Sequence, residues 1–126
     1  MIEESLYNYI KDNIDNVTVY YGKVPMDFTY KNGDTSVNFI KLPSEASNVT
    51  PSYLDVFQIT IRNKLISTVQ TVAIDIIELF QLYYGVMGDY RIRVIGVSQL
   101  GTLYEDEDLV SIPLSLSIKY TGLNWW

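Results

Sequence analysis

Tyr53-Leu54-Asp55-Val56-Phe57-Gln58-Ile59-Thr60-Ile61-Arg62 runs into Asn63-Lys64-Leu65-Ile66-Ser67-Thr68-Val69, and the change of period between the two decides the fold. Successive side chains of an extended chain alternate, so Tyr53, Phe57, Ile59 and Ile61 share one face of a strand and Gln58, Thr60 and Arg62 the other. From Ile66 onward the apolar residues instead recur every three or four positions. Ile66, Val69, Ala73, Ile76, Ile77, Phe80 and Tyr84 trace one side of an α-helix. Ser67 with Gln70 suits a capping box at its start, and Gly85 suits its stop. A further strand is expected over 89–97, making 53–97 a strand-helix-strand unit.

Outward from that unit the pattern stays mixed. Residues 110–120 alternate most cleanly, with Val110, Ile112, Leu114, Leu116, Ile118 and Tyr120 against Ser111, Pro113, Ser115, Ser117 and Lys119. The polar side should meet water, and Pro113, which donates no ladder hydrogen bond, favours an edge or a bulge. Toward the N-terminus, Leu6, Ile10 and Ile14 recur at four-residue spacing behind an acidic first turn, which predicts a short helix over 3–14. Strands are expected over 17–21 and 36–42. Asn32-Gly33 suits a tight hairpin turn, because both residues tolerate positive φ. Residues 43–52, rich in Ser, Asn, Thr and Pro, predict a surface loop. The expected fold is α+β in the α/β class. It is a single domain over 1–126, with a mixed, mainly antiparallel sheet of about four to six strands and both helices on one face.

Composition narrows the function. The 126 residues suffice for one core, and at 48% hydrophobic and 19% charged the chain is slightly richer in apolar side chains than a monomer requires. Fifteen acidic and nine basic residues leave a net charge of -6, which opposes nucleic-acid binding because phosphate neutralisation supplies most of its affinity. Without cysteine there is no disulfide and no thiolate zinc site, and without histidine the commonest acid-base catalyst near neutral pH is missing. The start, Met1-Ile2-Glu3-Glu4, lacks the features of a signal peptide. The apolar stretch 65–84 holds Asp75 and Glu78, a poor membrane span. No catalytic residue, metal ligand, cofactor or membrane contact is expected, and the protein is read as a soluble intracellular product.

Several residues are candidates for contact. Leu65, Val72, Leu79 and Leu82 form a second apolar row along the long helix, covered either by the first helix or by another subunit. Arg62, Arg91 and Arg93 either meet acidic partners across a subunit boundary or lie solvated on the outer face of the sheet. Glu105, Asp106, Glu107 and Asp108 form the one dense charge run. It lacks the spacing and glycine of an EF-hand loop, so a solvated hairpin tip is the reading, and in a ring it would become a negative band past which DNA could slide. Trp125 and Trp126 are either tucked against the sheet or held for a partner.

The order of these elements, with Arg62 at the strand-to-helix junction, Arg91-Ile92-Arg93-Val94-Ile95 after the helix, an acidic loop over 101–108 and a long alternating last strand, resembles the tail terminator proteins of long-tailed bacteriophages. These are also called tail completion or minor capsid proteins. The resemblance covers nearly the whole chain through pattern and length; the proline common ahead of the acidic loop is absent, and the Gly-Asp turn has become all acidic. It implies a virion protein of the tail or neck, assembled in the host cytoplasm. Such a protein forms a homo-oligomeric ring, usually a hexamer, that caps the tail tube protein, ends its polymerisation and joins the head-side connector. DNA passes through that ring without sequence-specific binding.

Two other readings stand beside it. One is a different head-tail joining protein of the neck. The other is a small-molecule binding domain or enzyme with a tyrosine-lined pocket and Asp55, Asp75 or Glu78 as general base.

Overall fold

The computed structural model describes residues 1–26, 28–30, 33–43, 53–105 and 108–123. The elements are α1 (Ile2–Asn13), β1 (Thr18–Tyr21), β2 (Ser36–Leu42), β3 (Tyr53–Asn63), α2 (Ile66–Phe80), β4 (Tyr84–Met87), β5 (Tyr90–Gln99), β6 (Leu103–Tyr104) and β7 (Val110–Gly122). The strands form one sheet in the order β1-β2-β3-β7-β5-β4, with β6 paired to β7. Every described pair is antiparallel except β1 with β2. The sheet is therefore mixed and mainly antiparallel, with seven strands among the described residues. The two not foreseen, β4 and β6, span 4 and 2 residues, too few to display a period.

The core sits where β3 and β7 meet. Phe57, Ile59 and Ile61 lie opposite Leu116, Leu114 and Ile112, and all six are at most 1% exposed. A one-residue slip would turn all six to the other face, and each fully buried side chain of this kind contributes about 1.5–3 kcal/mol, so the register is firmly set. α2 adds Val69, Ala73, Ile76 and Phe80 to this face, and α1 adds Leu6 and Ile10. α1 runs from the β4 side, where Ser5 lies against Gly88, toward β1.

Several local expectations need correction. No hairpin joins β1 to β2, because the two run parallel, and the chain between them crosses back over the outer face of the sheet. There Phe28 packs edge-on against Tyr20 and Tyr30, and the Tyr30 hydroxyl lies 2.8 Å from Ser36 Oγ. Gly33 takes a positive φ of 81°, and Asn32 lies outside the described residues, as do residues 44–52 of the expected loop. The serine side of β7 does not simply face water, since Ser111 is buried with its hydroxyl unpaired and Ser115 and Ser117 are half-buried.

Pro113 occupies the central strand, with Thr60 of β3 opposite it. Its carbonyl accepts from Leu100 N at 2.9 Å, so the position of its missing N–H also faces the β5 side. There β5 has ended at Gln99, and β6 begins pairing only at Ser111, so no ladder donor is needed. The capping box is likewise not made: α2 is preceded by Leu65 with no side-chain cap. The helix stops at Phe80, ahead of Gly85, and Tyr84 belongs to β4 rather than to the helical stripe.

Gly88, at φ 59° in the β4–β5 turn, is the point where α1 meets that turn, and a Cβ there would run into Ser5 Oγ. Gly88→Ala is expected to lower stability by about 1–2 kcal/mol, read from urea midpoints. Adding Ser5→Ala should return only the steric part of that loss.

Candidate functional site

Between the C-terminal end of α1 and α2 opens a groove of about 740 Å³. The last residue of α1, Asn13, and the chain after it, with Asp15 and Asn16, supply one wall, and the facing side of α2 supplies Thr68, Thr71, Asp75 and Glu78. Val72 and Leu79 give it an apolar lining, and among the described residues no lysine or arginine lines it. The row foreseen along the helix therefore divides. Val72 is buried and Leu79 half-buried in this groove, whereas Leu65 is 59% and Leu82 90% exposed.

Leu82 is exposed because of how α2 ends. Tyr83 N donates to Phe80 O at 3.0 Å, Gln81 has φ -58° and ψ 124°, and Leu82 has φ 60°. This is a type II turn with leucine at the position that favours glycine or asparagine. The chain then enters β4 at the edge of the sheet. Val94 N donates to Tyr83 O, so Tyr83, Gly85 and Met87 face β5, while the backbone groups of Tyr84 and Val86 point away from the sheet. Tyr83 Oη donates back to Val86 O at 3.1 Å and caps one of these. The side chains of Tyr84 and Val86, together with Ile95 at the β5 bulge, are more than half exposed. Arg91 and Arg93 on β5 and Lys119 on β7 are exposed beside them.

Arg62 does not stand free on the outer face. Its Nε donates to both carboxylate oxygens of Glu105 at 3.2 Å, and its Nη1 donates to Asn38 Oδ1 at 2.6 Å. Asn38 Nδ2 in turn donates to Gly22 O at 2.8 Å. This partly buried network ties β2, β3 and the acidic loop together inside one chain. Of that loop, Asp108 is exposed at φ 64°, and Asp106 and Glu107 lie outside the described residues, as do Trp125 and Trp126.

The three carboxylates named as possible bases do not line one site. Asp75 and Glu78 share the groove, which Asp55 does not line. Asp55 is buried on β3, where its Oδ2 accepts from Tyr120 Oη at 2.5 Å and lies 3.3 Å from Lys41 Nζ. Tyr53 stacks on Tyr120, and Tyr90 meets it edge-on. Burial first, and then the hydrogen bond and charge of Asp55, push the Tyr120 hydroxyl well above the usual tyrosine range. Among the described residues no group of three or more acidic side chains could hold a metal ion, and no helix is long and apolar enough to cross a membrane.

One residue that organises the groove side carries almost no signal in the sequence. Asn63 ends β3 fully buried, and its side chain bonds the 33–35 segment and the start of α2. An asparagine closing an alternating strand is the sole trace of it in the chain, and such a residue reads equally well as a turn.

No family model matches the sequence, and no curated protein matches it significantly. Solved structures do share the fold. One chain without a functional description superimposes with a TM-score of 0.67 at 16% identity, over 95% of this chain and 90% of its own. A chain from the virion of a native gene transfer agent particle does so with a TM-score of 0.65 at 18% identity, over 96% of this chain and 95% of its own. At such identities the likeness is one of fold.

Proposed function

We propose that this protein is a structural subunit of a phage-like virion. It forms a ring, usually of six copies, that caps the tail tube, ends its polymerisation and meets the head-side connector. The observation that carries this reading is the end-to-end match of fold to a chain of a gene transfer agent virion, with no large unmatched segment in either chain. The order of elements that resembles tail terminators supports the position at the tube end. The subunit acts without catalysis or cofactor, through apolar and aromatic contacts, and DNA passes through the ring unread.

The test is purified tail-tube protein polymerised with and without this chain, followed by electron microscopy. Expected are shorter tubes with a ring at one end, at far less than one subunit per tube subunit. Tubes of unchanged length with bare ends overturn the tail-terminator role, and binding to tail-less heads in the same experiment would place the subunit in the neck instead.

A further inference from the structure

A closed ring of identical subunits needs two different faces that fit each other, because a heterologous contact repeats head to tail. The subunit carries two surfaces of opposite chemistry. The groove lies on the helix side, walled by α2 and by the chain after α1, with Thr35 just before β2 at one end of it. It carries Asp15, Asp75 and Glu78 over an apolar lining, with no cation among the described residues. The exposed apolar edge is at the β4 end, and the cations beside it are Arg91, Arg93 and Lys119.

Two features of that edge are unfavourable in a lone subunit. Arg93 lies directly opposite Lys119, a like-charge cross-strand pair, and among the described residues none of the three cations makes a salt bridge. Leu82 holds a left-handed backbone conformation that costs about 1–2 kcal/mol while projecting its side chain into solvent. The turn needs the conformation but not a leucine, and neither the like-charge pair nor the exposed Leu82 side chain finds a partner among the described residues of the subunit, whereas an acidic surface with an apolar lining would suit both.

We propose that the β4 edge of one copy docks into the groove of a second copy. Leu82 enters beside Val72 and Leu79, and Arg91, Arg93 and Lys119 face Asp15, Asp75 and Glu78. The inference rests on the ring reading above and adds the pair of faces that builds the ring.

Light scattering coupled to size exclusion tests it, with one variant carrying Arg91→Glu and Arg93→Glu and another carrying Asp75→Lys and Glu78→Lys. Wild-type protein should assemble, less readily as salt rises. Each variant alone should associate about a hundred-fold more weakly or worse, since like charges then meet across the contact. An equimolar mixture should assemble again, because every edge then meets a groove of opposite sign. Leu82→Asn keeps a residue suited to the turn, so its unfolding midpoint should hold or rise while association weakens about ten-fold or more.

A wild type that stays monomeric, variants that assemble like wild type, or a mixture that fails to recover would each overturn the contact. If wild-type protein still caps tubes in any of those cases, the proposed function stands and only this contact falls. Rings that obey the charge swaps but ignore tube ends would do the reverse, supporting the contact and overturning the capping role.

Discussion

Asn63→Asp is expected to destabilise the chain by about 4 kcal/mol or more, enough to unfold much of it. The Asn63 Nδ2 donates to Gly33 O at 2.9 Å, Asp34 O at 3.1 Å and Thr35 Oγ1 at 2.7 Å, all from one fully buried side chain. Its Oδ1 accepts from Leu65 N at 2.9 Å, at the entry to α2. A carboxylate keeps only that last bond and turns a second oxygen toward two carbonyls, with the Thr35 hydroxyl alone able to rotate and donate. Asn63→Ala, which leaves the same groups unpaired without adding charge, should cost about 2–3 kcal/mol. Urea denaturation of both variants checks the ordering. Aspartate no worse than alanine would mean that water reaches this site.

The second large effect is a loss of stability at alkaline pH that Tyr120→Phe should flatten. The folded chain holds the Tyr120 proton more tightly than the unfolded chain, whose tyrosines titrate near the usual value of about 10. Its contribution is therefore fully present below about pH 10 and is lost as the pH rises toward the raised folded value, by about 1.4 kcal/mol per pH unit. Tyr9, raised by burial and by Tyr83 beside it, acts in the same sense and steepens the wild-type fall. At neutral pH, Tyr120→Phe removes a hydrogen bond to a carboxylate, worth about 1.5–3 kcal/mol. The difference between wild type and variant should thus be greatest at neutral pH and shrink above about pH 10. A constant difference across that range would show that Tyr120 keeps an ordinary affinity for its proton.

Long periods were legible in the chain, and short or relational features were not. The alternation over 110–120 and the stripe from Ile66 to Phe80 located β7 and α2, because each is long enough for burial on one face to show as a period. β4 escaped because four residues, two of them facing solvent, carry no period and follow a helical stripe whose spacing extends to Tyr84. The parallel pairing of β1 with β2 was hidden by Asn32-Gly33, whose local chemistry fits a hairpin that the tertiary structure does not build. Pro113 misled for the opposite reason: the rule against central proline holds for an unbroken ladder, and here the ladder breaks at Leu100. Of the contact candidates, Leu65, Val72, Leu79 and Leu82 read as one apolar row along a helix, but α2 spans only Ile66–Phe80, so Leu65 and Leu82 lie just outside it. Arg62 finding Glu105, and Asn63 reaching back to Gly33, depend on residues far apart in sequence that no spacing rule relates.

β7 is the last of the described strands in sequence and lies in the middle of the sheet, between β3 and β5. While the ribosome is still short of Val110, β3 has only β2 beside it, β5 has only β4, and the two halves share no strand-to-strand hydrogen bond. The nascent chain is two unfinished ribbons with exposed inner edges, and one late segment welds them. Tyr53 waits for Tyr120 and Asn63 for Val110, so closure is both late and long-range, the kind of step that sets slow folding. Of the faces proposed to join neighbouring copies, the β4 edge takes Lys119 from β7 itself, and the groove is walled by α2, which packs on β7 as well as on β3 and β5. A subunit can therefore offer both at their final separation only once β7 is in place.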